Sequence, residues 1–253
     1  MKVQNALTRF SDRVEDYVRY RPGYPSAVLK TLEQRCGLTS TSSVADIGSG
    51  PGNFARILLE NGNEVFAVEP NREMRAAGKE LLGHFARYHS LEGKAEETGL
   101  SAASVDFVVA AQAFHWFDAH KARAEFKRIL RSGGWTVLIW NERLTASTPF
   151  LRDYEKLLFE YSTDYEQVRH ENSYSGVKEF FHGQEQLAKF DNQQLFDYDG
   201  LRGRLLSSSY APGAAHPRRQ PMLSELRRIF DLHSRDGVVS FDYTVKMYFG
   251  QLE

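Results

Sequence analysis

The run Asp46-Ile47-Gly48-Ser49-Gly50-Pro51-Gly52-Asn53 places one acid and three glycines within seven positions. Glycine tolerates positive φ and leaves the backbone bare, so a sizeable ligand can lie against such a turn; a tight structural turn is the plainer reading. Glu69 stands seventeen residues after Gly52. A carboxylate there, at the end of the next strand, can accept both hydroxyls of a ribose, which points to a nucleoside ligand. Two nucleoside cofactors compete: a dinucleotide with its pyrophosphate, and S-adenosylmethionine, which has none. The dinucleotide fingerprint wants its third glycine one position later, where Asn53 stands, and a carboxylate such as Asp46 ahead of the first glycine repels phosphates. Toward a ligand carrying an ammonium and a sulfonium, the same charge is attractive.

These residues need a scaffold that brings strand ends together. Strand-like and helix-like segments alternate from about residue 43 to 142, the pattern of parallel strands joined by crossover helices. Strands are expected at 44–47, 64–69, 86–92, 105–111 and 135–140, and helices at 54–60, 72–82 and 119–130, the last stopped by Gly133-Gly134. Ahead of this core, Phe10, Val14, Tyr17 and Val18 follow helical spacing until Arg21-Pro22-Gly23 breaks it, and a second helix runs from Pro25 to Cys36. Beyond the core, 149–161 and 177–190 read as polar helices forming a cap over the sheet edge. Strands at 195–198 and 238–249 and a helix at 221–233 complete the architecture. The expectation is an α/β fold: a doubly wound, mostly parallel seven-stranded sheet with helices on both faces and a helical cap or lid. Its divisions are an arm (1–42), a cofactor-binding core (43–145), a helical cap insertion (146–192) and a C-terminal part completing the sheet (193–253).

The chain resembles class I S-adenosylmethionine-dependent methyltransferases. The resemblance rests on Asp46 to Gly52, Val65 to Glu69, Gly93-Lys94-Ala95-Glu96-Glu97, and Val105-Asp106-Phe107 leading into Ala111-Gln112-Ala113-Phe114-His115-Trp116. Within that superfamily, the Ala-x-x-x-His-Trp run and Arg21-Pro22-x-Tyr24-Pro25 look like the small-molecule branch related to trans-aconitate methyltransferases. The resemblance implies that Gly48, Gly50 and Gly52 floor the methionine half, with Asp46 beside them, that Glu69 holds the ribose, and that Pro70 and Met74 touch adenine. It likewise implies Ala95 and Glu96 at the adenine amino edge, Gln112, Ala113 and Phe114 along the methionine through backbone groups, and Tyr17, Tyr20 and Arg21 in a closing lid.

His115 and Trp116 follow the fourth strand, at the edge where open α/β sheets bind ligands. His115 is the candidate general base and Trp116 a candidate substrate contact, with packing against the cap as the alternative. Tyr20, Tyr24 and Asn141 are the other candidate substrate contacts, the tyrosines alternatively packing arm against core and Asn141 alternatively a turn residue. Asp106 reads as a structural cap at the far end of its strand. Arg202, Arg204 and Ser207 to Tyr210 read as solvated surface, with a grip on an anionic substrate as the alternative. His170, His182, His216 and His233 lack metal-ligand spacing, so no metal is expected.

Composition narrows the partners. The 253 residues carry 32 Lys and Arg against 33 Asp and Glu, for a net charge of −1. That lacks the basic footprint of phosphate-backbone binders. Gln112-Ala113-Phe114-His115 also replaces the Asn/Asp-Pro-Pro-aromatic tetrapeptide of enzymes that methylate base amino groups, so no nucleic acid is expected. A single cysteine, Cys36, fits a reducing compartment. Residues 1–17 lack the apolar core of a secretory signal, and no run approaches the ~20 apolar residues of a membrane helix. The expected protein is cytoplasmic, monomeric or homodimeric, and off the membrane. Its reading is in-line methyl transfer to a small molecule such as an organic acid. A non-catalytic cofactor binder and an NAD-dependent oxidoreductase are the alternatives.

Overall fold

Strands covered on both faces need apolar side chains at successive positions rather than alternate ones. The two runs richest in them, β1 (Ser43–Ile47) and β4 (Val105–Ala111), lie side by side at the centre of a seven-stranded sheet ordered β3-β2-β1-β4-β5-β7-β6. This computed structural model describes residues 18–167 and 176–252. Parallel pairing joins β1 to β2 (Glu64–Val68) and β4, β2 to β3 (Tyr88–Leu91), and β4 to β5 (Leu130–Arg143). β7 (Val239–Gly250) runs antiparallel between β5 and β6 (Gln186–Phe196). The strand order reverses between β1 and β4, and the crevice outside their carboxyl ends is where such sheets bind ligands. The glycine turn and residues 112–116 both emerge there.

On one face, α1 (Ala27–Cys36) and α2 (Asn53–Glu60) bury Val28, Leu32, Phe54 and Leu58 against Val44, Val65, Phe107 and Val109. On the other, α4 (Ala119–Ile129) sets Phe126 and Ile129 against Val108, Ala110, Leu138 and Trp140. Between β2 and β3 runs α3 (Arg72–Leu82), started by Asn71, whose side chain accepts the Met74 N–H. A third apolar cluster sits where β5, β6 and β7 outrun the other strands. There α5 (Pro149–Tyr161), α7 (Tyr198–Leu206) and α8 (Arg219–His233) pack Leu151, Tyr154, Leu158, Leu201 and Leu226 around Phe196, Phe241 and Tyr243. No helix among the described residues is long and apolar enough to cross a membrane.

The structure corrects the expected elements at three places. The helix anticipated over 177–190 stops at Phe180 as the short α6 (Val177–Phe180), and β6 begins at Gln186, well before residue 195. Every residue of β6 pairs with β7, from Gln186 opposite Phe249 to Phe196 opposite Val239, so ladder hydrogen bonds override the polar composition. The boundary drawn at residue 192 therefore falls inside a strand. β5 is longer than 135–140, and α4 ends at Ile129 because Leu130 is already extended (φ −69°, ψ 138°). The Gly133-Gly134 pair lies within β5; at Gly134 a side chain would meet the Asp106 carbonyl oxygen at 2.9 Å. Asp106 is the expected structural cap, accepting the Ser43 N–H at 2.8 Å and Arg131 at 2.8 Å, at the end of the sheet away from the crevice.

Candidate functional site

The three glycines after β1 all have positive φ, +69° at Gly48, +56° at Gly50 and +92° at Gly52, but they face different surroundings. A Cβ at Gly48 would lie 2.6 Å from the Ala113 Cβ, and one at Gly52 would lie 2.3 Å from Leu82 Cδ1. These two let the turn press against the end of β4 and against α3. At Gly50 nothing among the described residues lies within 4 Å of the added atom. The expected ligand floor of three equivalent glycines therefore divides into two packing positions and one facing open space.

Two carboxylates bracket the turn. Glu69 is buried and accepts the Gly50 N–H with Oε2 and the Asn71 N–H with Oε1, both at 2.8 Å. Burial raises its pKa, against the pull of those two amides and of Arg75. Asp46 has no exposed surface, and neither oxygen has a hydrogen-bond partner among the described residues. Burial pushes its pKa up to about 7; the Ala55 amide pulls the other way without closing a hydrogen bond, and the Glu69 charge adds to the rise. A buried carboxylate with no partner is costly unless something cationic or donating completes it.

The opposite lip is the end of β4. Gln112 adopts φ +58°, a left-handed conformation that costs a non-glycine residue about 1–2 kcal/mol. It is held there by its N–H on the Ile139 carbonyl (2.9 Å) and its side-chain amide on the Asn141 carbonyl (3.2 Å). Such strain concentrates at ligand sites. Ala113 is buried against the Gly48 turn, whereas the Phe114 ring is core, edge-on to Phe117, Trp140 and Phe180. His115 and Trp116 form the short 3-10 turn that follows, half-buried, their rings 4.9 Å apart. Pro70 and Met74 frame the start of α3, Met74 buried. Ala95 is buried, and Glu96 accepts the Asp118 N–H at 2.7 Å, tying its loop to α4.

Residues 45–138 match the sequence family described as a methyltransferase domain. An uncharacterized methyltransferase-like protein of Schizosaccharomyces pombe is 32% identical over 165 residues, 65% of this chain and 63% of its own length. The chain thus spans under two thirds of that relative. Among solved structures, one of a type II methyltransferase from Anaeromyxobacter dehalogenans, described there as putative, shares the fold with TM-score 0.72, 23% identity, and coverage of 92% of this chain and 98% of that one. The phosphoethanolamine N-methyltransferase 2 of Haemonchus contortus, solved with phosphomonomethylethanolamine and S-adenosylhomocysteine, aligns with TM-score 0.53 at 16% identity, over 98% of this chain and 58% of that one.

Around this core, the arm residues are committed to docking. Asn141 is 2% exposed and donates to the Gly23 carbonyl (3.2 Å), while its oxygen accepts from Asn192 (2.7 Å), which also donates to Gly23 (2.9 Å). Arg21 donates to the Ser207 carbonyl (3.0 Å). The Tyr20 ring lies on Gly203, where a Cβ would come within 2.0 Å of it, and Tyr24 meets Phe54 edge-on. Tyr20, Tyr24 and Asn141, expected at the substrate, and Arg21, expected at the cofactor, make arm-to-body contacts in this structure. Tyr17, the rest of 1–17 and His170 lie outside the described residues.

The largest departure from the sequence reading lies in the cap. Arg204 is not surface but buried, and so is Arg143 on β5, which the sequence did not single out. The only signals for Arg143 were its place two residues beyond Asn141 on the same strand face and the helices that follow.

The state of Asp46 sets a pH dependence. A carboxyl with a raised pKa stabilises the fold below its ordinary value, and that contribution is lost as pH climbs to about 7. A cationic ligand favours the ionised form, so the affinity for such a ligand should rise roughly tenfold between pH 6 and 8, with proton release on binding. Glu69 and Tyr88 are the other titratable groups facing Asp46. Asp46→Asn should flatten the profile in calorimetry run in two buffers of different ionisation enthalpy; an unchanged slope in the variant assigns the proton elsewhere.

Proposed function

We propose that the protein is an S-adenosylmethionine-dependent methyltransferase acting on a small molecule. The observation that carries this is Asp46: a fully buried carboxylate without a hydrogen-bond partner among the described residues, beside a glycine turn that among those residues is open over Gly50 alone. A dinucleotide would bring phosphates to that charge; a ligand with an ammonium and a sulfonium completes it. Glu69 keeps lone pairs for ribose hydroxyls after accepting its two amides, and the Gln112 backbone forms the facing wall. The Haemonchus structure with its demethylated cofactor product supports the same ligand on the same fold. The Arg21-to-Pro25 arm and the Ala111-to-Trp116 run favour the small-molecule branch that resembles trans-aconitate methyltransferases.

The cofactor, when bound, supplies a methyl group whose bond to sulfur breaks with both electrons left on sulfur, as an acceptor lone pair forms the new bond to carbon. The chain's own contribution is positioning and exclusion of water. An ionised carboxylate acceptor needs no base. A phenol, hydroxyl or amine does, and His115 at the crevice edge is the group placed to take that proton. Calorimetry should show binding of S-adenosylmethionine and S-adenosylhomocysteine and none of NAD; the reverse pattern overturns the assignment. His115→Ala should keep cofactor affinity while turnover on a protonated acceptor falls ~10²-fold or more. An unaffected rate removes the base.

A further inference from the structure

Among the described residues, the cap holds two buried guanidiniums and one carboxylate to share between them. Arg143 pairs with Glu155 and donates to the Tyr165 hydroxyl (2.9 Å), which itself donates to Glu155. Arg204, one helix away, meets no carboxylate among the described residues: its Nη1 donates to Ser208 Oγ at 3.1 Å and its Nε reaches the Tyr243 hydroxyl at 3.4 Å. The two arginines converge on one spot. Tyr243, which Arg204 reaches, is the cross-strand neighbour of Arg143; the Arg143 guanidinium lies 5.2 Å from the Tyr154 ring, and that of Arg204 lies 5.9 Å from the Phe241 ring, which itself packs edge-on to Tyr154 at 4.8 Å. At that spot two buried atoms have no hydrogen-bond partner among the described residues, Arg143 Nη1 and the Tyr154 hydroxyl.

Buried charges in folded proteins are paired, and buried donors are satisfied. Here one positive charge and two polar atoms are left over at a single place, the complement of one negatively charged oxyanion group. Strand geometry puts that place beside the crevice. Asn141, whose carbonyl accepts the Gln112 side chain, and Arg143 point to the same face of β5, about 7 Å apart. We propose that Arg143, Arg204 and Tyr154 form an anion subsite that anchors a carboxylate or phosphate of the methyl acceptor. That the anion belongs to an acceptor rests on the methyltransferase reading; that the cluster binds an anion does not. The arm contacts α7 at Gly203 and holds the carbonyl of Ser207 just after it, so it borders the subsite on both sides of Arg204 in sequence.

Succinate and inorganic phosphate, titrated calorimetrically into the full chain with and without S-adenosylhomocysteine, test this. At least one should bind, and at least tenfold more weakly to Arg204→Gln, while S-adenosylhomocysteine affinity stays unchanged. Preference between the two distinguishes a carboxylate from a phosphate source. Tyr154→Phe guards against misfolding, because it removes only a buried hydroxyl that has no partner. It should melt at or above the wild-type temperature and still bind the anion several-fold more weakly. If neither anion binds in either condition, or if both variants bind as wild type does, the subsite is overturned. If the anions bind but S-adenosylhomocysteine does not, the subsite stands and the methyltransferase reading fails.

Discussion

Gly50→Val should abolish S-adenosylmethionine binding and leave a folded protein. The position has φ +56° and nothing within 4 Å of a Cβ, so a branched side chain projects into space that the fold itself leaves unfilled. The left-handed conformation costs a β-branched residue ~1–2 kcal/mol, which for a chain of this size lowers the melting temperature by roughly 2–8 °C. The bond from the Gly50 N–H to Glu69 uses backbone and survives. Gly50→Ala separates strain from obstruction: it should melt nearly as low as the valine variant and retain part of the affinity. Gly52→Val provides the contrast, since its side chain would strike Leu82 at 2.3 Å and should damage folding rather than binding alone. Calorimetry beside thermal melts reads all three. Wild-type affinity in Gly50→Val would mean that the ligand does not pass over this residue, and the assignment of the turn would fall.

How much of this was legible in the sequence depends on whether the signal was local. Helix α3 over 72–82, β4 over 105–111 and α5 over 149–161 were readable to the residue because periodicity and caps agree there: Asn71 caps α3, and Thr148 with Pro149 opens α5. β6 was not legible. Its residues alternate between half-buried and exposed, its pairing partner lies some fifty residues on, and the polar stretch before it reads equally well as helix. The stop of α4 was misplaced because a glycine pair is a helix terminator only when the chain has not already turned into a strand.

The site divides in the same way. The glycine turn and Glu69 could be found by spacing, because one strand–turn–helix unit contains the first and the next strand end the second. That Asp46 has no hydrogen-bond partner among the described residues, and that Gly48 and Gly52 point into Ala113 and Leu82, are facts of packing between segments far apart in the chain. The arm shows the limit most clearly. Tyr20 and Asn141 have residue types equally suited to touching a substrate or fastening a segment, and it takes the folded chain to show that they fasten one, at Gly203 and Gly23. Arg143 and Arg204 lie sixty-one residues apart, each in an unremarkable polar context. Burial, which gives them meaning, comes from the cap folding over the ends of β5 and β7.

Removing the carboxylate from that cap should be the most damaging single change to stability. Arg143 is 4% exposed, and in Glu155→Leu its guanidinium keeps, among the described residues, only the Tyr165 hydroxyl as a hydrogen-bond partner, leaving a buried charge uncompensated. Breaking a buried pair from one side typically costs ~3–5 kcal/mol, whereas replacing both partners by apolar groups is often neutral or stabilising. Glu155→Leu should therefore melt well below wild type, and the double variant Arg143→Leu/Glu155→Leu should recover most of the loss. Denaturant titration of the two singles and the double measures the coupling. Recovery of stability separates two roles for the pair. If the arginine is present only to hold the cap, the recovered double variant binds anions as wild type does. If it is there to complete an acceptor's charge, the double variant folds and binds S-adenosylhomocysteine, yet anion affinity stays lost.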